Sequence, residues 1–271
     1  MADVARRFGY GETKLRAEQT GKNTQEVNDL ALAFNTMADS LEQSEQRRQE
    51  FIANVSHELK TPMTTIGGYV DGILDGTIPK DNEKHYLQIV SSEVRRLSRL
   101  VRSMLDLSRL QAQGIDESRK TRFDLGDVMS DVLITFEQKI NARGLQVSVD
   151  LPEKPVWTKA DRDAITQVVY NLLDNAIKFC PVGGNLGLIL EQDGQKARLR
   201  IRNTGQTIPP EELPLLFDRF HKADKARSAD REGWGLGLYI AKTIIGAHGG
   251  EIWATSENGV TEFTFTLPAV R

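Results

Sequence analysis

Apolar side chains recur in the first 104 residues at spacings that alternate between four and three, which is the repeat of a helix that packs along one face. A first row begins at Leu30 and weakens midway, and a second row begins at Leu87. The positions of the two rows are Leu30, Phe34, Met37, Leu41, Ser44, Arg48, Phe51 and Val55, and then Leu87, Val90, Val94, Leu97, Val101 and Met104. The spacing predicts two long amphipathic helices.

A turn-rich stretch, DGTIPKDNEK at residues 75–84, separates the two rows. Two long helices joined by a short connection form a helical hairpin. A single hairpin has too little core to be stable alone, whereas two hairpins paired into a four-helix bundle bury both rows. We therefore expect this part of the chain to form a homodimer.

Composition excludes several classes of protein. With 27% charged and 39% hydrophobic residues, the chain can form hydrophobic cores. Its net charge of −3 gives no indication of nucleic-acid binding. The single cysteine, Cys180, cannot form an internal disulfide, which fits a reducing compartment. No stretch approaches the roughly 20 apolar residues of a membrane span, and no signal peptide opens the sequence. The abrupt start, MADVARRFGYG, suggests a piece of a longer protein.

The second part of the chain mixes strand-like and helical segments. Residues 145–151 and 197–203 alternate as strands do, residues 161–179 and 236–250 have helical periodicity, and residues 250–268 predict a hairpin around Asn258-Gly259. No strict βαβ repeat is present. The predicted fold is therefore multidomain: an all-α helical hairpin that forms a dimeric four-helix bundle, followed by an α+β sandwich of about 150 residues.

His57 lies in the polar stretch that follows the first row. It comes two residues after Val55, about 200° around the helix, so its side chain is expected to face solvent. An exposed imidazole can act as a nucleophile, and the neighbouring carboxylate of Glu58 can orient it. An isolated pair of this kind is a weak signal, because most exposed histidines have no catalytic role.

The surrounding residues strengthen that signal. FIANVSHELKTPMTTIGGYVDGILDG (51–76) resembles the phosphoacceptor box of bacterial sensor histidine kinases. Four further motifs follow in the family's order: NLLDNAIKF (171–179) resembles the N box, NTGQTIP (203–209) the first glycine box, LFDRFHKADKARS (216–228) the F box, and GWGLGL (233–238) the second glycine box. The resemblance covers about residues 45–271, and five motifs in one order are highly specific.

The resemblance implies a domain organisation. Residues 26–46 resemble the second helix of a HAMP signalling module, and MADVARRFGYG resembles the tail of that module's first helix. The implied domains are a partial HAMP-like segment (1–44), a dimerisation and phosphotransfer domain (45–115), and an ATP-binding domain of the GHKL type (116–271). The chain would then be the cytoplasmic portion of a bacterial inner-membrane protein, connected to the membrane only through upstream segments.

The resemblance also implies an activity and its catalytic residues. His57 would accept the γ-phosphoryl group of ATP, and the phosphoryl group would pass to an aspartate in the receiver domain of a response regulator. Glu58 would hold the other ring nitrogen and act as a base. Thr61 lies one helical turn after His57. Its hydroxyl would position a water for a phosphatase reaction on the regulator.

The residues implied to bind ATP and Mg²⁺ lie in the other four motifs. Asn171 and Asn175 are four residues apart, so one helix face carries both amides, and Asn175 would be the Mg²⁺ ligand. The glycines before a helix let backbone N–H groups approach phosphates. The implied binding residues are Asn171, Asn175, Lys178, Phe179, Asn203, Gly205, Phe217, Phe220, Lys222, Gly233, Gly235, Gly237 and Leu238.

Three positions depart from the family's pattern. Asn203 replaces an aspartate that accepts a hydrogen bond from the adenine amino group, Thr207 replaces a glycine, and Phe179 stands where the family often has tyrosine. We expect weakened rather than abolished ATP binding. These departures leave two alternatives: a pseudokinase that docks or dephosphorylates a regulator, and an ATPase of the related gyrase–chaperone superfamily, which would have no use for the His57 box.

Overall fold

The structure, a computed structural model, describes residues 2–10, 12–18, 24–113, 116–221 and 234–270. The chain divides into two compact units, Met1–Glu93 and Val94–Arg271. No helix among the described residues combines the length and the apolarity that crossing a membrane requires.

Three helices precede the second unit's sheet. Helix α1 spans Ala2–Gly9, α2 spans Gln25–Leu74 and continues through Pro62, and α3 spans Lys80–Gln113 across the boundary between the units. The spacing of apolar residues predicted α2 and α3, and both are confirmed as long helices.

A short connection joins α2 to α3. The Ile78 N–H donates a hydrogen bond to the Gly72 carbonyl at 2.8 Å, and Gly76 takes the left-handed conformation with φ 76°. Close to this connection the rings of Tyr69 and Tyr86 pack with their centroids 4.9 Å apart. The predicted helical hairpin is therefore confirmed at its closed end.

The start of α2 buries a different face from the predicted row. The buried positions are Ala31, Phe34 and Ala38, and Val4 and Phe8 of α1 pack on them. Of the first four positions of the predicted row only Phe34 is buried, while Leu30, Met37 and Leu41 are about half exposed in the single chain. Alanine side chains are short, so α1 and the segment around Ala17 approach closely on the alanine side.

The second unit contains two sheets. The larger has five strands in the order β2-β4-β5-β7-β6, in which β2 and β4 are parallel and the other neighbours antiparallel, and the smaller pairs β1 with β3. The strands are β1 Lys120–Asp124, β2 Gln146–Asp150, β3 Trp157–Asp161, β4 Asn185–Asp193, β5 Lys196–Thr204, β6 Ile252–Glu257 and β7 Val260–Pro268.

Helices cover one face of the five-stranded sheet. They are α4 Leu125–Thr135, α5 Glu137–Ala142, α6 Arg162–Phe179 and α7 Gly237–Ala247, with short 3-10 turns at Glu117–Arg119 and Pro214–Phe217. Helix α6 packs against α4, α7 and β5. On β5 buried side chains alternate with partly exposed ones, whereas on β7 every residue from Phe263 to Leu267 is buried. The predicted α+β sandwich is confirmed.

In the second unit the turn and the helix end that were predicted from glycine-containing pairs are confirmed. Asn258 and Gly259 connect β6 to β7 with φ 51° and 76°, as a two-residue hairpin turn requires. Helix α7 ends at the predicted glycine pair, where Gly249 has φ 72° and the Gly250 N–H donates to the Ile245 carbonyl at 3.0 Å. A Cβ atom at Gly250 would lie 2.0 Å from the Thr266 carbonyl oxygen, so only glycine fits there.

A buried histidine connects α7 to the start of α6. His248 Nε2 accepts a hydrogen bond from the Asp161 N–H at 3.0 Å, and Nδ1 donates to the Ile244 carbonyl at 2.9 Å. The Asp161 side chain in turn caps α6 by accepting from the N–H groups of Asp163 and Ala164. Burial is the main cause that lowers the pKa of the His248 imidazole below its ordinary value, so the neutral ring is the native form.

This contact makes the second unit sensitive to acid. Because the native pKa of His248 is lowered, the unfolded chain binds more protons between that pKa and about 6.5, and the free energy of unfolding falls as the pH falls through this window. We expect the advantage of the wild type over His248→Gln to be full above about pH 7 and to shrink toward pH 5, by at most about 1.4 kcal/mol per pH unit.

Urea unfolding followed by tryptophan fluorescence measures this difference, because all three tryptophans, Trp157, Trp234 and Trp253, lie in the second unit. Curves of unfolding free energy against pH that run parallel for the two proteins would show that His248 does not titrate in this range.

Candidate active site

His57 lies on α2 with its side chain exposed, as predicted. Glu58 is half-buried, and no hydrogen bond joins its carboxylate to the His57 ring in the structure, because successive helix residues point about 100° apart. Thr61 is exposed one turn further on, and its hydroxyl lies 3.4 Å from the His57 carbonyl oxygen. The three side chains therefore form an open surface on one helix.

The amide face of α6 is the first part of a second site. Asn171, Asn175 and Lys178 are half-buried at spacings of four and three residues, on the face opposite the core residues of the helix. Asn171 Nδ2 donates a hydrogen bond to the Gly237 carbonyl at 3.1 Å, which joins this face to the start of α7. Lys178 Nζ lies 5.5 Å from the ring centroid of Phe179.

The first glycine box lies at the end of β5, beside the last turn of α6. Asn203 is buried with 3% of its surface exposed, and its Nδ2 donates to the Thr204 carbonyl at 3.0 Å. A Cβ atom at Gly205 would lie 3.0 Å from the Phe179 carbonyl oxygen, so glycine allows the two segments to meet. The structure therefore brings the predicted N box and first glycine box together.

The F box and the second glycine box are also in contact. The Phe220 N–H donates to the Gly235 carbonyl at 3.0 Å, and both residues have positive φ, 59° and 67°. Phe217 is buried and meets Phe263 edge to face at 6.4 Å between centroids. Leu238 is half-buried in the first turn of α7. Lys222 and Gly233, which the sequence also placed here, lie outside the described residues.

Two contacts at this site carried no signal in the sequence. Arg219 Nη2 donates to the Tyr239 hydroxyl at 2.6 Å, and its guanidinium lies 4.6 Å from the centre of that ring. Thr207 Oγ1 accepts a hydrogen bond from the Gly259 N–H at 2.9 Å. The partners are 20 and 52 residues apart, a separation that no local pattern reports.

The side chains gathered on α6 suit a polyphosphate with its metal. Mg²⁺ prefers oxygen ligands and takes few of them from protein when phosphates are present, and the amide oxygen of Asn175 offers one such ligand. Among the described residues no cluster of three His, Cys, Asp or Glu side chains could hold a metal ion. A metal held jointly by Asn175 and a nucleotide's phosphates fits this donor set.

Two family models match the chain. Residues 47–113 match the "His Kinase A (phospho-acceptor) domain", and residues 160–271 match the "Histidine kinase-, DNA gyrase B-, and HSP90-like ATPase". The first match contains His57 and the second contains α6 and both glycine boxes.

Individual relatives agree with these matches. The chain is 38% identical over 226 residues to the sensor protein SrrB of Staphylococcus aureus strain MRSA252, covering 83% of this chain and 38% of that protein. It is similar to the solved structure of the Acinetobacter baumannii histidine kinase AdeS, with 30% identity, a TM-score of 0.65, and coverage of 79% of this chain and 98% of that one. The structure of histidine kinase ThkA in complex with response regulator protein TrrA is similar at 27% identity and a TM-score of 0.67, with coverage of 85% and 66%.

The contact at Gly235 predicts unequal effects for two neighbouring glycines. A Cβ atom at Gly235 would lie 2.7 Å from the His221 carbonyl oxygen and from the Phe220 carbonyl carbon, at a positive φ. A Cβ atom at Gly237 would lie 3.6 Å from Asn171, an ordinary contact, within a helix. We expect Gly235→Ala to lower the free energy of unfolding by about 2 kcal/mol, and Gly237→Ala to change it by less than about 0.5 kcal/mol.

Urea unfolding followed by tryptophan fluorescence compares both variants with the wild type. Equal stability of the two variants would mean that the F box and the second glycine box do not meet as described.

Proposed function

Because the chain belongs to the bacterial sensor histidine kinases, and its two matched domains are those of a protein-histidine kinase, we propose that it binds Mg·ATP on the α6 face and phosphorylates His57. The chain spans 38% of the length of the SrrB proteins it matches, so the proposal concerns the activity of this portion. The observation that carries it is the joining of the N box to both glycine boxes, through Asn171 to Gly237 and through Phe179 to Gly205.

In phosphoryl transfer the protein mainly positions the reactants and stabilises charge. A ring nitrogen of His57 attacks the γ-phosphorus, the bond from phosphorus to the β-γ bridging oxygen breaks, and ADP leaves. Glu58 takes the proton that the imidazole loses, which requires a rotamer in which its carboxylate reaches the ring. Mg²⁺, when bound, neutralises charge on the phosphates, with Asn175 as its protein ligand. Asn171, Lys178 and the start of α7 hold the phosphate side of the nucleotide.

The chemistry of phosphohistidine indicates what kind of partner accepts the phosphoryl group. Phosphohistidine is a high-energy phosphoramidate, so it can pass its phosphoryl group to a carboxylate. One similar structure is the complex of ThkA with response regulator protein TrrA. We extend that partnership to this chain and propose that an aspartate in a receiver domain accepts the phosphoryl group.

A homodimer is the proposed state of the helical hairpin. Leu87, Val94 and Val101 lie seven residues apart on α3 and are each about half exposed in the single chain, while Leu100 and Leu107 are buried. A row of large apolar side chains at heptad spacing is stabilised when a second copy covers it. The half-exposed Leu30, Met37 and Leu41 extend the same argument to the start of α2.

We also propose that residues 1–44 act as a HAMP-like module that connects the kinase to an upstream membrane sensor. The packing of α1 on the start of α2 supports the pairing of two short helical segments, and Ala17, which lies between them in the sequence, is fixed to α2. There, the Asn35 side chain both accepts from the Ala17 N–H at 2.8 Å and donates to the Ala17 carbonyl at 3.0 Å.

The nucleophile gives the first test of this function. We expect His57→Gln to abolish the acid-labile, base-stable labelling of the protein by γ-labelled ATP, while ATP binding in a calorimetric titration stays within about twofold of the wild type. His85→Gln, a histidine on α3 outside the box, is the matched control and should label normally.

Labelling of His57→Gln at the wild-type level would overturn the assignment of the phosphoacceptor. A wild type that neither binds ATP nor labels would instead favour the alternative that the departures at Asn203 and Thr207 suggest, a pseudokinase with a degenerate site.

Thr61 gives a test of the proposed phosphatase reaction on the regulator. Its hydroxyl is exposed one turn from His57, with only a long contact to the His57 carbonyl, so it is available to orient a water toward a phosphoaspartate. We expect Thr61→Ala to keep autophosphorylation and to slow dephosphorylation of the phosphorylated regulator by at least about tenfold. The control is Thr64→Ala, which removes an exposed threonine one turn further from His57, whose hydroxyl donates to the Lys60 carbonyl at 3.0 Å.

Equal phosphatase rates in Thr61→Ala and the wild type would remove Thr61 from the reaction. Equal losses in Thr61→Ala and Thr64→Ala would point to docking of the regulator on this helix face instead.

A further inference from the structure

We propose that Thr207 is a positioning residue that clamps the first glycine box to the β6–β7 turn and thereby selects adenine over guanine. The inference rests on the proposed function, and it takes from the family resemblance that Asn203 faces the base of the nucleotide. Thr207 stands where the family has a glycine. From the sequence alone, this replacement is expected to weaken ATP binding.

Three hydrogen bonds fix residues 203–209, called the base loop below, to the hairpin. The Gly259 N–H donates to Thr207 Oγ1 at 2.9 Å, and the Gly259 carbonyl accepts from the Gly205 N–H at 2.8 Å. The Ile208 N–H donates to Ser256 Oγ at 2.9 Å. Gly259 therefore uses both of its backbone groups on the base loop, and the hydroxyl of residue 207 supplies the protein acceptor for its N–H.

The hairpin is a rigid anchor for this clamp. Strand β7 pairs with β6 on one side and with β5 on the other, so Val260 lies opposite both Glu257 and Thr204. Ser256 Oγ also lies 2.9 Å from Thr261 Oγ1, in a buried contact inside the hairpin. A loop tied to a paired central strand has fewer conformations to lose when a ligand binds, which raises affinity without a direct contact.

The clamp acts on Asn203 through one peptide group. The Gly205 N–H and the Thr204 carbonyl belong to the same peptide, and the clamp holds its N–H while its carbonyl accepts from Asn203 Nδ2 at 3.0 Å. One of the two Nδ2 hydrogens is engaged there, which fixes the orientation of the amide, so Oδ1 is the acceptor that Asn203 presents to a base. Rotating the amide would place an oxygen against the Thr204 carbonyl oxygen, which is unfavourable.

An acceptor at this place distinguishes the two purines. Adenine presents an amino group, which donates, where guanine presents a carbonyl, which accepts. An asparagine that is free to rotate could place either Oδ1 or Nδ2 against the base, whereas one whose orientation is fixed keeps the acceptor Oδ1 in place and favours adenine. The inferred chain of positioning thus runs from Thr207 through Gly259 and the peptide between Thr204 and Gly205 to Asn203.

The test compares Thr207→Val, which keeps the shape and loses the hydroxyl, with the wild type. We expect Kd for ATP to rise about three- to tenfold, as the loss of one or two neutral hydrogen bonds implies, and the preference for ATP over GTP to fall. The rate of His57 labelling at saturating ATP should stay unchanged, because the phosphate side of the site is untouched. Thr207→Ser should restore the wild-type values.

Two further measurements separate positioning from general stability. Thr255→Val changes an exposed threonine on the same hairpin and should alter neither Kd nor nucleotide preference. The Gly259 amide should exchange its hydrogen faster in Thr207→Val than in the wild type, because that N–H has lost its acceptor. Thr207→Gly, which restores the family's residue, should behave as Thr207→Val and serves if the valine variant does not fold.

The outcomes are distinct. A wild type that binds no ATP refutes the proposed function, whereas a wild type that binds ATP with a Thr207→Val variant of equal Kd and equal ATP preference refutes the clamp. A rise in Kd that is the same for ATP and GTP would show a loss of stability without base selection, and it would also overturn the inference.

Discussion

The burial of α6 between α4, α7 and the central sheet is the constraint on which the second unit depends. Seven apolar side chains of this helix are buried, and each contributes roughly 1–3 kcal/mol when removed from water. Turning the helix by one residue would carry Asn171 and Asn175 into that core, where an amide without partners costs a few kcal/mol. The core therefore fixes the amide face toward the glycine boxes, and the hydrogen bond from Asn171 to Gly237 is a consequence.

The sequence predicted those parts of the fold whose causes are local. The hairpin at Asn258-Gly259 follows from residues that tolerate positive φ, and the end of α7 follows from its glycine pair. The long helices follow from apolar spacing. In each case the residues that determine the conformation lie within a few positions of one another, so the local sequence contains the necessary information.

The face that a helix buries was harder to predict than the helix itself. The row through Leu30, Met37 and Leu41 has the larger side chains, but the chain packs α1 against Ala31, Phe34 and Ala38, where short side chains permit close approach. Periodicity does not say which of two adjacent apolar rows packs against its neighbours within the chain. At the candidate site, likewise, the motifs name candidate residues, and the contact between Arg219 and Tyr239 appears only when distant segments are brought together.

The two departures in the first glycine box show how a motif position depends on its partners. Compared with the family's pattern, Asn203 lacks the charge of an aspartate, and Thr207 lacks the backbone freedom of a glycine. In the folded chain the Asn203 amide has a carbonyl to hold its nitrogen, and the Thr207 hydroxyl has a turn N–H to accept. A glycine is needed where a Cβ atom would collide, as at Gly235 and Gly250, whereas the hydroxyl at position 207 lies beside an N–H group from which it accepts a hydrogen bond. The same substitution can therefore weaken one site and stabilise another, and the nearest donor decides which.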